Sequence, residues 1–248
     1  LEVSVHVASY ADAASLATGL AGCEACVHLV GIIRETPTTT FADAHVDATR
    51  ALLTAARLAG VGHIIYYSLL GADAAARNRC LATRGEAEQL FVQSGIETTI
   101  LRVGMVLGEG DYAASALARR ARRATNVVLR GSSLEQPLYA GDLTAGTARA
   151  LGAGHTGIFD VAGPESLARS ELIRRAAAVV GCSTRVISLP VGPVLLAADL
   201  MGLALAAPPV SRPMLEVLDH DDDVDPGIAA SILGADLTPL DAALAHVL

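Results

Sequence analysis

The sequence contains no lysine and no tryptophan. All 18 basic residues among the 248 are arginines, so any mechanism that needs a lysine amine is excluded. The 26 acidic residues outnumber the basic ones and give a net charge of -8. This balance argues against nucleic acid as the main partner.

Cysteine is scarce as well, with four in the whole chain. Cys23 and Cys26 form a lone C-x-x-C, and a zinc site would need two more ligands at suitable spacing. Cys80 and Cys182 are isolated, so we expect no metal site. We interpret Cys23 and Cys26 as small buried residues that lead into a strand.

Long uninterrupted apolar runs are also missing. The most apolar stretch, Val191 to Val210, is broken by Asp199 and several prolines, and it does not predict a membrane span. No signal-peptide pattern opens the sequence. These features favour a soluble protein of a reducing, cytoplasmic compartment.

Strand and helix patterns alternate along the first half of the chain. The predicted strands are Val3–Ala8, Ala25–Ile32, His63–Leu70 and Glu97–Gly108, and the main predicted helices are Asp43–Gly60 and Cys80 to about Ser94. This order is typical of α/β proteins, in which crossover helices connect parallel strands. We expect a parallel α/β domain over residues 1–165 and a small, mostly helical lobe over residues 166–248.

Five stretches, in order, resemble the extended, atypical short-chain dehydrogenase/reductase superfamily. They are AGCEACVHLVGIIRET, HVDATRALLTAARLAGVGHIIYYSLLGAD, GIETTILRVGMVLGEGD, PLYAGDLTAG and FDVAGPESL. Within it, HLVGIIRE and SLLGAD are most similar to the branch that contains the NADPH-binding accessory subunit of respiratory complex I and its bacterial relatives. The resemblance covers nearly the whole chain and implies a Rossmann-type parallel sheet that binds NAD or NADP.

The sequence departs from this family at its beginning. Family members start with a strand, a glycine-rich turn and a helix that bind the pyrophosphate, whereas this sequence starts at what resembles the third strand. Two strand–helix units, roughly 50–60 residues, would precede it. We interpret the sequence as a truncated reading of a longer protein, with a rearranged sheet as the alternative. The G-x-G-x-x-G at Gly152–Gly157 predicts a helix stop and a turn, because it follows a helix and precedes a strand.

The resemblance implies that the family's catalytic pair is replaced. Ser68 matches the serine that hydrogen-bonds the substrate carbonyl. Cys80 matches the tyrosine that transfers the proton, and Arg84 matches the lysine that holds the nicotinamide ribose. Residues four apart share a helix face, and the guanidinium would favour a Cys80 thiolate. A thiol is much shorter than a phenol, however, and arginine is too basic for a proton relay, so little turnover by the family mechanism is expected.

Three stretches at the carboxyl ends of strands are predicted to contact the dinucleotide. Ser9 and Tyr10 match the place where the family binds adenine, and a simple strand end explains them equally well. The remaining predicted contacts are Leu29, Val30 and Gly31 beneath the ribose, and Val103, Gly104, Met105 and Val106 on the nicotinamide side. His45 stands where relatives have an asparagine that braces the active-site backbone, although its type alone indicates a helix-face residue.

Two segments carry concentrated charge. The basic cluster, which consists of Arg119, Arg120, Arg122 and Arg123 with Arg130 nearby, is interpreted either as a solvated helix face or as a contact for an anion, an anionic lipid surface or an acidic partner. The acidic run Asp219–Pro226 resembles a family loop with extra acids, and its spacing does not match an EF-hand.

The sequence therefore predicts an NAD(P)H-binding, reductase-like protein that is non-catalytic or weakly catalytic. It is expected to rest against a membrane-associated complex through the basic cluster or the C-terminal helices, as a cytoplasmic protein peripheral to the inner membrane. One alternative is an active oxidoreductase or epimerase on a small or sugar-nucleotide-like substrate, using Ser68 with a tyrosine such as Tyr66 or Tyr67, or with water. Another is a chain that acts only as an interaction module.

Overall fold

The computed structural model describes residues 3–195, 215–216 and 220–248. Its helices are α1 (Ala13–Leu20), α2 (Ala48–Ala59), α3 (Arg79–Val92), α4 (Tyr112–Ala121), α5 (Ala140–Ala153), α6 (Arg169–Val179), α7 (Pro226–Leu233) and α8 (Leu240–Val247). Its strands are β1 (Ala25–His28), β2 (His63–Leu69), β3 (Glu97–Val103), β4 (Val106–Leu107), β5 (Thr125–Leu129), β6 (Leu134–Glu135), β7 (Leu138–Tyr139), β8 (Gly157–Val161), β9 (Leu167–Ala168) and β10 (Arg185–Leu189). Most of the apolar stretch 191–210, and Asp219 of the acidic run, lie outside the described residues.

The central sheet has the order β1-β2-β3-β8, and all its neighbouring strands are parallel. Helix α3 connects β2 to β3, as a crossover between parallel strands requires. The predicted α/β fold with a parallel sheet is confirmed. The predicted turn at Gly152–Gly157 is also confirmed, because Gly154 ends α5 in the left-handed conformation and β8 begins at Gly157.

The strand predicted at Val3–Ala8 is wrong. These residues pair with no strand of the described structure, and Val3, Val5 and Val7 are 80%, 86% and 91% exposed. Alternation of apolar and polar residues makes a strand only where a neighbouring backbone accepts its hydrogen bonds. In the described part of the chain no such neighbour lies beside this segment.

Strand β1 is shorter and less buried than its apolar sequence predicts. It ends at His28, and Val27 and Leu29 are 39% and 65% exposed. The cause is its position, since β2 flanks it on one side and no described strand flanks it on the other. Burial on both faces and both edges belongs only to the inner strands β2 and β3.

Helices cover both faces of the sheet. Leu52, Tyr66 and Phe91 belong to a core between the sheet and α2 and α3, whereas Leu101 and Leu143 belong to a second core between the sheet, α5 and α7. Neighbouring residues of one strand therefore serve different cores. Tyr66 and Tyr67 lie on opposite faces, as the sequence predicts.

A third core joins α4, α6 and α8 around Leu117, Leu172 and Leu244. Beside it, β10 pairs with β5 in a two-stranded parallel sheet. The division of the chain at residue 165 stays a prediction, and this pairing crosses it.

Candidate functional site

Helix α3 begins beside the carboxyl ends of β1 and β2 and turns its buried face towards them. Asn78 caps its start, because the side-chain oxygen accepts hydrogen bonds from the N–H groups of Cys80 (2.9 Å) and Leu81 (3.2 Å). Cys80, Arg84 and Glu88 follow at four-residue spacing and are all buried. This single helix face therefore carries a carboxylate and the two residues that were predicted to replace the catalytic pair.

The guanidinium of Arg84 fills the space above Gly31. It is 7% exposed and donates hydrogen bonds to the Tyr66 hydroxyl (2.9 Å) and the Tyr67 carbonyl (3.2 Å). A Cβ at Gly31 would overlap it, so any larger residue here would have to displace the guanidinium. Its Nε is buried and has no hydrogen-bond partner among the described residues. A buried cation with an unsatisfied donor marks this place as suited to a polar ligand.

Cys80 is placed too deeply to act as an accessible acid. The residue is fully buried, and its sulfur lies 3.7 Å from the carbonyl oxygen of Ile32. Burial raises the pKa of the thiol to about 11, although the charge of Arg84 acts in the opposite direction. Arg84 does favour the Cys80 thiolate, as expected, but desolvation outweighs this attraction.

The Ser68 hydroxyl is committed to a buried carboxylate. It donates a hydrogen bond of 2.6 Å to Glu88, which also accepts two hydrogen bonds from Arg102, at 2.9 Å from Nε and 2.6 Å from Nη2. Asp160 lies 3.8 Å from Arg102 on its other side. The four-residue spacing from Arg84 to Glu88 is the signal in the sequence that could have predicted this carboxylate.

His45 braces the backbone that leads away from β1. It lies in a π-helical turn, Ala42–Asp47, that precedes α2. Its Nε2 is 3.0 Å from the carbonyl oxygen and 3.2 Å from the nitrogen of Ile32, and its Nδ1 is 2.8 Å from the Thr83 hydroxyl. The interpretation of His45 as only a helix-face residue is therefore wrong, since its hydrogen bonds connect α3 and the π-helical turn to the strand end beside Gly31.

The predicted nucleotide contacts fall into three separate places. Ser9 is exposed and accepts a local hydrogen bond from the Ala11 N–H, and Tyr10 lies in the turn before α1. Leu29, Val30 and Gly31 lie at the end of β1, beside Arg84. At the end of β3, the carbonyls of Val103 and Met105 accept hydrogen bonds from the N–H groups of Leu70 and Leu138. Gly104 directly follows β3, and Val106 begins β4, which pairs with β7. The structure brings Gly31, Arg84 and Ser68 to one edge of the sheet, and their role as a site stays a prediction.

The two tyrosines offered as replacement acids differ in burial, and Tyr67 is only half-buried. Tyr66 is fully buried, and burial raises the pKa of its phenol although Arg84 donates to it. The Tyr67 hydroxyl hydrogen-bonds that of Thr147 on the opposite face, and burial raises its pKa too.

The segment 220–225 lies over the ends of β2 and β3. Sequence reasoning interpreted this run as a loop with extra acids and missed its histidine. His220 lies against Gly71 and Asp222 against Gly104, and the two side chains are 3.2 Å apart. An H-x-D spacing after a long apolar stretch was the available signal.

The comparisons with known proteins agree with this architecture. The model of a family described as NAD(P)H-binding matches residues 1–132, just over half of the chain. The chain belongs to the NAD(P)H-binding family. It is a protein of the atypical short-chain dehydrogenase/reductase superfamily, and its cofactor class is NAD or NADP.

Among curated proteins, the chain is similar to subunit 9 of the NADH dehydrogenase (ubiquinone) 1 alpha subcomplex, a mitochondrial protein of Arabidopsis thaliana. The two are 26% identical over 167 residues, which is 65% of this chain and 42% of the relative. The matched part therefore spans less than half of that subunit.

Solved structures share the fold at low identity. A nucleoside-diphosphate-sugar epimerase from Staphylococcus aureus superposes with a TM-score of 0.74 at 17% identity, over 98% of this chain and 84% of its own. An NADPH-dependent quinone oxidoreductase from Escherichia coli, solved with NADPH, superposes with a TM-score of 0.72 at 22% identity, over 98% and 83%.

The residues of this NAD(P)H-binding protein fit one end of the cofactor. Arg84 offers an unpartnered buried donor beside Gly31, where ribose hydroxyls could accept hydrogen bonds. The phosphate end is different, because no helix in the described ranges begins on a glycine-rich turn, and the first of them, α1, is capped by Asp12. In those same ranges no group of three or more metal-ligating side chains is present, and no helix is long and apolar enough to cross a membrane.

Proposed function

We propose that this chain holds a nicotinamide dinucleotide at the carboxyl edge of its sheet, with Arg84 against the nicotinamide ribose. The observation that carries the proposal is the buried guanidinium whose Nε lacks a partner, beside a glycine that keeps the backbone close. His45 supports the arrangement because it fixes Ile32, the residue after that glycine. A bound nicotinamide would supply hydride chemistry, and the chain's own residues orient it.

We further propose that the Cys80–Arg84 pair does not run the family's proton transfer. Cys80 is fully buried with a raised pKa, and an arginine holds its proton too firmly to relay it. Ser68 has its hydrogen on Glu88, so it is not free to polarise a carbonyl. Turnover by the family mechanism is therefore weak or absent.

Titration with NADPH, followed by the fluorescence of the nucleotide itself, tests the first proposal. Arg84→Met should weaken binding about 10- to 100-fold, because hydrogen bonds to charged donors contribute about 1.5–3 kcal/mol. Arg50→Met is the matched control, since Arg50 is exposed and pairs only with Asp47 within α2 and its preceding turn. Equal affinities of Arg84→Met and wild type would show that the guanidinium does not hold the nucleotide.

Activity measurements test the second proposal. NADPH oxidation with a panel of quinones and diketones should be unchanged in Cys80→Ala, because the thiol takes no part. A loss of turnover in Cys80→Ala, with the fold intact by circular dichroism, would refute this assignment.

We propose that the basic cluster docks an acidic surface of a membrane-associated complex, with the protein cytoplasmic and peripheral to the inner membrane. Arg119 and Arg123 are exposed and form no ion pair within the described part of the chain. Arg130 is not assigned to this docking surface, because it pairs with Asp221. The similarity to a complex I subunit supports this choice of partner. Arg119→Glu/Arg123→Glu should abolish sedimentation with such a complex, whereas Arg50→Glu/Arg57→Glu should not.

A further inference from the structure

The segment 220–225 contributes a histidine and an aspartate to the edge of the sheet where the proposed nucleotide site lies. His220 Nε2 would lie 3.1 Å from a Cβ at Gly71, and the Asp222 carboxylate would overlap one at Gly104. Gly71 follows β2 and Gly104 follows β3, so the pair covers the carboxyl ends of the two inner strands. Ligands of open α/β sheets bind at this edge.

Hydrogen bonds to the backbone of Asp222 and Val224 hold the pair in place, in addition to the contact between the His220 and Asp222 side chains. The Asp222 N–H donates to the Leu134 carbonyl (3.1 Å), and the Ser166 hydroxyl donates to the Asp222 carbonyl (2.6 Å). Two residues on, the Gln136 amide bonds both the N–H and the carbonyl of Val224, each at 2.8 Å. Two separate segments, residues 134–136 and the loop at Ser166, thus fix the position of Asp222, which is the condition for a preorganised site.

Asp222 orients the imidazole and leaves one nitrogen for a ligand. Its Oδ1 is 3.2 Å from His220 Nδ1, and the residue is 7% exposed. The His220 side chain is 43% exposed, and in the described structure its Nε2 makes no hydrogen bond. The hydrogen bond to Asp222, with the charges of Asp222, Asp221 and Asp160, raises the pKa of His220 although partial burial opposes it.

We infer that His220, oriented by Asp222, is the proton donor for slow carbonyl reduction at this edge, in place of the lost tyrosine. The inference rests on the proposed nucleotide binding. In the reaction the carbonyl carbon gains a hydride from a reduced nicotinamide, which is oxidised, and the C=O electron pair moves to oxygen. That oxygen takes the proton of His220 Nε2, and the product is an alcohol. His220 then regains a proton from water.

The test combines binding, titration and turnover on the whole chain. The variants are His220→Gln and Asp222→Asn. The matched control is His155→Gln, because His155 precedes β8 and so lies at the amino end of that strand, away from the carboxyl edge. NADPH affinity is measured by nucleotide fluorescence, and the His220 Cε1–H signal is followed by NMR against pH. Turnover is measured as NADPH oxidation with menadione, phenanthrenequinone and diacetyl.

Wild type and His155→Gln should reduce at least one of these probes, with a rate that falls as pH rises through the pKa of His220. His220→Gln should lose turnover by roughly 100-fold or more and keep its NADPH affinity. In Asp222→Asn the NMR pKa and the pH profile should shift downward together. Failure of wild type to bind NADPH overturns the proposed function itself. Normal NADPH binding with no turnover in wild type, or with equal turnover in His220→Gln, overturns only the role of His220.

Discussion

Acid should destabilise this protein through two histidines that are buried in the neutral form beside Arg84. His28 and His45 are 5% and 1% exposed. Burial first, and then the charge of Arg84, lower the pKa from 6.5 to about 4 for His28 and to about 3 for His45. In the unfolded chain both return to the ordinary value.

The direction follows from proton counting. Below pH 6.5 both histidines bind a proton in the unfolded chain, whereas in the folded protein they stay neutral until the pH approaches 4. Stability is therefore complete above the unfolded pKa and is lost as pH falls. One pH unit below it, each histidine costs about 1.4 kcal/mol, or about 3 kcal/mol together, a large share of the roughly 5–15 kcal/mol that folds a protein.

Urea unfolding followed by circular dichroism at about pH 7.5 and about pH 5.5 measures this loss. His45→Asn should lose about half as much free energy on acidification as wild type. Arg84→Met should lose nearly as much as wild type, because burial is the larger cause of both low pKa values. His220, whose pKa is raised, acts in the opposite direction and cancels when these variants are compared. The same loss in His45→Asn as in wild type would refute the buried neutral state of this histidine, and His155→Gln is the control that should keep the full loss.

Three further outcomes are expected. Glu88→Leu should lower the free energy of unfolding by about 3 kcal/mol, because it leaves the half-buried Arg102 with only Asp160, 3.8 Å away. Arg50→Ala, which breaks an exposed pair, should cost at most about 1 kcal/mol; similar losses of the two variants in urea unfolding would contradict this. Gly31→Ala should lower the free energy of unfolding by about 1–3 kcal/mol, because the new Cβ displaces the Arg84 guanidinium. Gly152→Ala should not lower it, since open space surrounds Gly152. Equal melting temperatures of the two variants would count against the close approach of Arg84 to Gly31. Alkylation followed by mass spectrometry should label Cys23 and Cys182 first, because they are exposed. Cys26 and Cys80 should react later, because burial raises the pKa of both thiols to about 11. Early labelling of Cys80 would contradict its buried position.

The sequence pattern predicted the elements whose signals are local. Helix α2 ends at Gly60 in the left-handed conformation, and Asn78 caps α3, so periodicity and termination signals were enough. Val3–Ala8 shows the limit of this reasoning. Its alternation is as clear as that of a true strand, but pairing depends on a neighbour that a local pattern does not contain.

The positions of the candidate site residues could be predicted from the sequence, whereas their contacts could not. The resemblance directed attention to Ser68, Cys80 and Arg84, and all three lie at one edge of the sheet. That the Ser68 hydroxyl donates to Glu88, or that Arg84 bonds Tyr66, depends on how α3 packs on β2. The H-x-D spacing marks His220 and Asp222 as a pair, but their packing on Gly71 and Gly104, more than about 100 residues earlier in the chain, depends on the tertiary fold.

The most direct test of the account is a crystal structure of the chain with NADPH. We predict that the nicotinamide ribose lies over Gly31, with the Arg84 guanidinium turned from the Tyr66 hydroxyl to the ribose oxygens. Nucleotide bound elsewhere, or an Arg84 that still donates to Tyr66 beside an empty strand end, would contradict the central claim.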